Sequence, residues 1–350
     1  MLSERCKPFW RERYEKIKVA VIGCGKISGM HLDSITALEE VELVAVCDIR
    51  SERADEKAEK YHAKAYTDYS EMFEKEALDA VHICLPHYLH TVVSQDAFRK
   101  GIHVLCEKPM SIRYEDAVET VELAEQCGLQ YGVIFQGRYN THARFIKRRI
   151  EDGRLGTVKC ARAILSWYHP DEYYSSSDWK GTWDKEGGGV VINQAIHSLD
   201  LSNWFIDSVP VEVQASLHNR AHKHIEVEDS AEGLVKYENG ALLAFYVMNN
   251  YLVNEPVEIR LRCQNGKVVY TKNEAVITYD DGTVESMKNK PQEIVSYSGG
   301  ASYWGTQHAV QVHQFYKAVL GLEPLELSGR AALKTQKLVC DIYQSNDGRI

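Results

Sequence analysis

The chain has 350 residues, enough for two domains, and its 44% hydrophobic and 26% charged residues are the balance of an ordinary globular protein. A formal net charge of −9 argues against a broad nucleic-acid surface, and no apolar stretch approaches bilayer length, so neither nucleic acid nor membrane is an expected partner. Nine cysteines lack paired spacing, and Cys24, Cys47, Cys84 and Cys106 sit in or beside apolar runs, as free thiols of a reducing compartment do.

Residues 1–16 carry charge without the apolar run of a secretory signal, so they read as an N-terminal arm of a cytoplasmic protein. From residue 17 to about 135, short apolar runs alternate with amphipathic stretches, the pattern of a parallel sheet with helices on both faces. Strands are predicted at 17–22, 41–47, 80–84, 102–106 and 130–135, with helices at 27–38, 51–61, 90–99 and 114–127 and a short turn near 69–73. The first strand runs into Gly23-Cys24-Gly25-Lys26-Ile27-Ser28, a GxGxxS form of the dinucleotide fingerprint, whose glycines allow a tight turn and close approach to a pyrophosphate at a helix N-terminus. Asp48, 23 residues past Gly25, ends the second strand where an acid receives ribose hydroxyls, which favours NAD. Arg50, beyond Ile49, could meet a 2′-phosphate, so NADP stays open.

The later strand ends are equally polar. Residues 80–84 lead into Leu85, Pro86, His87 and His90; residues 102–106 end in Glu107-Lys108-Pro109; and the last parallel strand opens into Gln136, Arg138 and Tyr139. A parallel sheet delivers such residues to one ligand crevice, so Leu85, Pro86, His87, His90, Glu107, Lys108 and Gln136 join Gly23, Gly25, Lys26, Ile27, Ser28, Asp48, Ile49 and Arg50 as the expected cofactor site. No metal site is assigned, because neither Cys84, His87 and His90 nor His218, His222 and His224 carries a specific ligand spacing.

Past residue 137 the texture changes to a helix at 141–151, an aromatic loop at 167–185 and a helix at 190–205 opened by Gly187, Gly188 and Gly189. Period-two runs at 211–217, 231–237, 241–247, 257–263, 268–270 and 275–279 then predict an antiparallel sheet, and two helices, 307–320 and 330–345, close the chain. Asn193, His197 and Asp200 recur on one predicted helix face, and the preceding glycines with Trp179 and Trp183 point to backbone packed close to a ligand. Expected substrate contacts are Lys108, Arg138, Tyr139, Tyr168, Trp179, Trp183, Asn193 and His197. Oxidising a carbinol needs a base for the hydroxyl proton; a lysine, near 10.4 in water, serves once burial and a neighbouring positive ring lower it. Lys108 is therefore the expected base, with His197 holding or relaying the proton.

The ordered set GCGKIS, CDIR, CLPHYLH, CEKPM and WDKEGGGVVINQAIHSLDL resembles the Gfo/Idh/MocA family of glucose-fructose and inositol-type oxidoreductases over nearly the whole chain after the arm. The resemblance implies an α/β protein with a doubly wound Rossmann domain at 17–136, and an α+β domain at 137–350 with a large, mainly antiparallel sheet. The closing helix could pack back on the Rossmann domain. It further implies homodimer or homotetramer contacts through that sheet, and an NAD-dependent dehydrogenase of a sugar, glycoside or cyclitol, at C3 by its Asn-Gln-x-x-His form. Family positions fall on Gly23, Gly25, Ile27, Ser28, Asp48, Lys108 and His197; many members carry Asp where this chain has Asn193, so Asn193 is read as a ligand of a substrate hydroxyl. Two other readings follow from the same relatives: an NAD-retaining glycosidase working by transient oxidation and elimination, and a non-enzymatic dinucleotide-binding regulator.

Overall fold

The computed structural model describes residues 16–288 and 307–347, so the expected arm lies outside the described residues except for Lys16. The chain divides into two compact units, each described by itself. Among described residues, the first unit holds 16–110, 115–134 and 307–332, and the second 111–114, 135–288 and 333–347.

The first unit is built on strands β1 (Ile17–Ile22), β2 (Val41–Cys47), β3 (Lys64–Tyr66), β4 (Ala80–Ile83), β5 (His103–Cys106) and β6 (Tyr131–Val133). They pair in parallel in the order β3-β2-β1-β4-β5-β6, the doubly wound arrangement expected from the alternating pattern. β1 and β4 are buried almost throughout because helices cover both faces, which is why they read as mainly apolar runs, interrupted only by Lys18 and His82. β3 was not predicted: Lys-Ala-Tyr is a three-residue edge strand with two exposed positions and no apolar run to betray it. The helix His308–Val319 also belongs to this unit, where Val312, Phe315 and Tyr316 join Val19, Val21, Leu32 and Leu105 in one core.

The second unit carries an eight-stranded sheet of β7 (Val158–Ser166), β8 (Pro210–His218), β9 (Ser230–Tyr237), β10 (Leu242–Met248), β11 (Glu258–Cys263), β12 (Gly266–Thr271), β13 (Glu274–Tyr279) and β14 (Val284–Lys288). Its order is β14-β13-β12-β11-β7-β10-β9-β8, antiparallel at every pair except β7 with β10. The period-two reading located six of these strands. It passed over β14 and the central β7, whose Val-Lys-Cys-Ala-Arg start breaks the alternation by exposing Lys159, Cys160 and Arg162. Helix Ile196–Ile206 packs on β7 and is preceded by a wide π-type turn, Val191–Ala195, rather than running as one α-helix from residue 190.

Candidate active site

In the first unit, the sequence dictates a loop that cannot tolerate a side chain at its first glycine. Gly23 has φ +95°, and a Cβ there would lie 2.3 Å from the Cys84 carbonyl oxygen, so the β1 exit presses directly on the β4 exit. Gly25 is different: a Cβ would meet nothing within 4 Å, which leaves the outer side of the loop open. Asp48 ties this loop to β2, its Oδ2 accepting from Cys24 N–H at 2.8 Å and its Oδ1 from Arg50 N–H at 2.9 Å. Ser28 opens the first helix, fully buried, its hydroxyl donating to the Gly25 carbonyl at 2.7 Å. Lys26, Ile49 and Arg50 are exposed around this loop and Ile27 is half-buried. Helix-end amides, an open glycine and an acid at the tip of β2 are the donor and acceptor set a dinucleotide needs, so these residues fit NAD.

Beyond β4, Leu85 and Pro86 are half-buried and His87 is buried in a short 3-10 turn. His90 opens the next helix and is fully enclosed between two carbonyls, with Nδ1 2.6 Å from Pro109 O and Nε2 2.8 Å from Leu85 O. It thus clamps the β4 exit to the peptide just past Lys108. Burial pulls the His90 pKa down, against the upward pull of the two carbonyls.

Beside Lys108 lies a feature that the spacing of motifs did not show. Glu107 is buried, and its Oε2 accepts the Lys108 backbone N–H at 3.2 Å. Its Oε1 lies 3.0 Å from His31 Nε2 and 3.5 Å from His308 Nε2. His31 Nδ1 meets His82 Nδ1 at 2.7 Å, and His82 Nε2 meets the Tyr316 hydroxyl at 2.7 Å. Burial alone would raise the Glu107 pKa, but hydrogen bonds from His308 and His31 hold it well below the usual carboxylate range. An ionised Glu107 then dictates the tautomers: His31 donates through Nε2, His82 donates through Nδ1 and Tyr316 donates to His82 Nε2. Burial keeps His82 neutral. The only sequence signal for this chain was a histidine, His82, inside a strand otherwise made of apolar residues.

In the second unit, the three glycines serve protein packing, which corrects the expectation that they approach a ligand. A Cβ on Gly187 would sit 2.6 Å from Ile112 Cβ, on Gly188 2.0 Å from the Tyr343 hydroxyl, and on Gly189 1.8 Å from Glu228 O. Glu228 is buried and takes the N–H groups of Gly189 (2.9 Å) and Val191 (3.0 Å), while the Tyr343 hydroxyl donates to it at 2.8 Å and accepts from Ile192 N–H at 3.2 Å. These bonds hold the helix entrance in its wide turn. Asp200 is likewise not on a common polar face with Asn193 and His197: it is buried, accepts both Arg138 Nε (2.8 Å) and Nη2 (2.6 Å), and takes a bond from the Thr335 hydroxyl at 2.6 Å. Between residues 186 and 203, only Asn193 and His197 are not buried.

Around Asn193 the structure gathers Tyr173, from the aromatic loop, and Glu186, which was not on the expected site, with Gln194 alongside. His169 stacks on Tyr173 with ring centroids 4.1 Å apart, and Lys180 Nζ stands 3.5 Å from the centroid of the Tyr173 ring. Trp183 donates its Nε1–H to Glu226 O at 2.9 Å, Trp179 accepts a Thr182 hydroxyl bond through its carbonyl, and Tyr168 is exposed. Tyr139 and Gln136 are buried in the 3-10 turn Gln136–Tyr139, and His197 lies edge-on to Phe135 at 6.2 Å. Lys108 belongs to the first unit and His197 to the second. Among the described residues no group of three or more His, Cys, Asp or Glu could hold a metal ion, and no helix is long and apolar enough to cross a membrane.

Comparison with known proteins extends this geometry. Residues 17–135 match the model of the oxidoreductase family with an NAD-binding Rossmann fold, GFO_IDH_MocA, and residues 143–269 match the GFO/IDH/MocA C-terminal domain. The D-glucoside 3-dehydrogenase of Escherichia coli K12 is 27% identical over 94% of this chain and 95% of its own length. The uncharacterized oxidoreductase YrbE of Bacillus subtilis is 26% identical over 65% of this chain, a match that spans 66% of that relative, slightly less than two thirds. The WlbA dehydrogenase from Bordetella pertussis, solved in complex with NADH and UDP-GlcNAcA, superposes with a TM-score of 0.82 at 27% identity, covering 95% of this chain and 98% of that one.

Replacing Gly23 with Ala is expected to cost at least about 2 kcal/mol and to abolish NAD binding, since both the positive φ and the Cys84 carbonyl oppose a methyl group. Gly101→Ala, with φ +80° but open space, should cost only about 1 kcal/mol and leave NAD titration unchanged; urea denaturation and cofactor fluorescence check both. A second expectation concerns Glu228, whose burial raises its pKa to about 7. Folded protein keeps this proton between the unfolded value of 4.5 and about 7, so its contribution is full below 4.5 and is lost as pH rises through 7. Relative to Glu228→Gln, the wild type should lose about 3 kcal/mol of stability between pH 4.5 and 8. Parallel pH curves for the two proteins would contradict this.

Proposed function

Given that this chain belongs to the Gfo/Idh/MocA family of NAD-binding oxidoreductases, we propose that it moves a hydride between NAD and a secondary hydroxyl carbon of a sugar, glycoside or cyclitol, at C3. The observation that carries the reading is Lys108 at the exit of β5, its backbone fixed by the Glu107 carboxylate and its following peptide clamped by His90. The near full-length relative named as a glucoside 3-dehydrogenase, and the neighbour solved with a nucleotide sugar, support the substrate class and position.

Gly23, Gly25, Lys26, Ile27, Ser28 and Asp48 would hold the dinucleotide, with Ile49, Arg50, Leu85, Pro86, His87 and Gln136 around it. When bound, NAD supplies the hydride acceptor. Lys108 takes the hydroxyl proton at Nζ as the carbinol becomes a carbonyl. His197 hydrogen-bonds the same oxygen and passes the proton on, and Asn193 holds a second hydroxyl. Tyr168, Trp179 and Trp183 pack on the sugar's apolar faces, with Arg138 and Tyr139 lining the substrate side. The same reading places a homodimer or homotetramer contact on the antiparallel sheet, whose outward positions include the exposed Leu242 and Tyr246.

The test is a panel of hexoses, inositols and glycosides with NAD, followed by NADH absorbance and product release. Lys108→Met should bind NAD normally and lose about a thousandfold in kcat. Normal turnover by that variant would remove Lys108 as the base. Release of free aglycone without accumulating NADH would favour the glycosidase, and NAD binding with no turnover of any compound would favour a regulator.

A further inference from the structure

The environment of Asn193 fixes which end of its amide is offered to a ligand. Its Nδ2 donates to Glu186 Oε1 at 2.6 Å and to the Tyr173 hydroxyl oxygen at 3.2 Å, so both amide hydrogens are committed. The Tyr173 oxygen also accepts from Gln194 Nε2 at 3.3 Å. Glu186 is buried at 1% exposure, and its Oε2 accepts the Gly181 backbone N–H in a short bond. A carboxylate only accepts, and Glu186 Oε2 is taken by the Gly181 N–H, so with Glu186 ionised the amide nitrogen must face Oε1. Any further bond made by Asn193 is made by Oδ1, as an acceptor. An Asp at this position would set a second carboxyl 2.6 Å from Glu186, and one of the two would then have to hold a proton.

We infer that Glu186 is a positioning residue that sets Asn193 as a hydrogen-bond acceptor, so that the protein selects substrates presenting a hydroxyl donor at that point and rejects those with an acceptor alone. The inference rests on Asn193 as a substrate contact in the function proposed above. Glu186 and Asn193 together do what an aspartate would do at residue 193, without placing its charge on the ligand.

Glu186→Gln is the discriminating change because it reverses the logic. Gln has one acceptor oxygen, which the fixed Gly181 N–H claims; its amide nitrogen then faces Asn193, which must turn Oδ1 toward residue 186 and its NH2 outward. Two readouts apply to the full chain loaded with NAD. The first needs no turnover: the side-chain amide signal of Asn193, assigned by its loss in Asn193→Ala, should shift with pH in the wild type with a midpoint near 7, where burial places Glu186. Lys180, Glu228, Tyr174 and Tyr343 also face Glu186, so the shift must vanish in Glu186→Gln and persist in Lys180→Met to be assigned to Glu186. The second uses the sugar found in the panel and its deoxyfluoro analogues, which accept weakly and do not donate. Discrimination against one such analogue should narrow about tenfold in Glu186→Gln, through KM rather than kcat, and return in Glu186→Asp. An Asn193 amide signal that ignores both pH and Glu186→Gln would overturn the inference, as would discrimination unchanged in the folded variant. Failure of every sugar to turn over would instead sink the dehydrogenase reading, and the amide titration would still decide the orientation of Asn193.

Discussion

A carboxylate buried at the mouth of a parallel sheet must be compensated, and the compensation of Glu107 organises the first unit. His31 comes from the first helix and His308 from a helix that starts 175 residues past the last strand of the sheet, yet both rings meet Glu107 Oε1. The chain must therefore return to this unit after building most of the other one, and Val312, Phe315 and Tyr316 bury apolar surface in the return. Removing either imidazole would leave the buried charge with a single imidazole partner, which is costlier than losing an exposed ion pair. The same carboxylate fixes the Lys108 backbone N–H, so the electrostatics of the core and the placement of the proposed base are one arrangement.

The second unit also buries carboxyl groups, with a different outcome. Glu186 and Glu228 are buried among backbone N–H groups and hydroxyls, and burial lifts both to about 7 rather than depressing them. Glu228 fills the entrance of the helix that carries His197, and Glu186 fills the space beneath Asn193. Each carboxyl is spent on orienting backbone or amide groups, which leaves Asn193 and His197 as the polar side chains of that segment that reach outward.

Much of this was legible in the residues. Gly23, Asp48 and the run of strand ends identified the doubly wound sheet, because the spacing of those residues follows from chain geometry. Short or amphipathic edge pieces were not legible: β3 has three residues and β14 alternates without a strong apolar face. The Gly187–Gly188–Gly189 run was misread for a physical reason, since a glycine reports only that something approaches closely, and here it is Ile112, Tyr343 and Glu228. The Glu107 chain and the Glu186–Asn193 pair join residues distant in sequence or hidden inside a motif, so no local pattern announces them. The Asp200 periodicity failed because the π-type turn at Val191–Ala195 and the pull of Arg138 redirect that face.

The central claim, that the protein takes hydride from a sugar carbon while Lys108 takes the hydroxyl proton, is tested most directly by isotope. A substrate carrying deuterium at the carbon to be oxidised is incubated with NAD, and the recovered nicotinamide is examined by mass spectrometry and NMR. The account predicts deuterium at C4 of the nicotinamide, on one face. Deuterium released to water, with none on the cofactor, would contradict it.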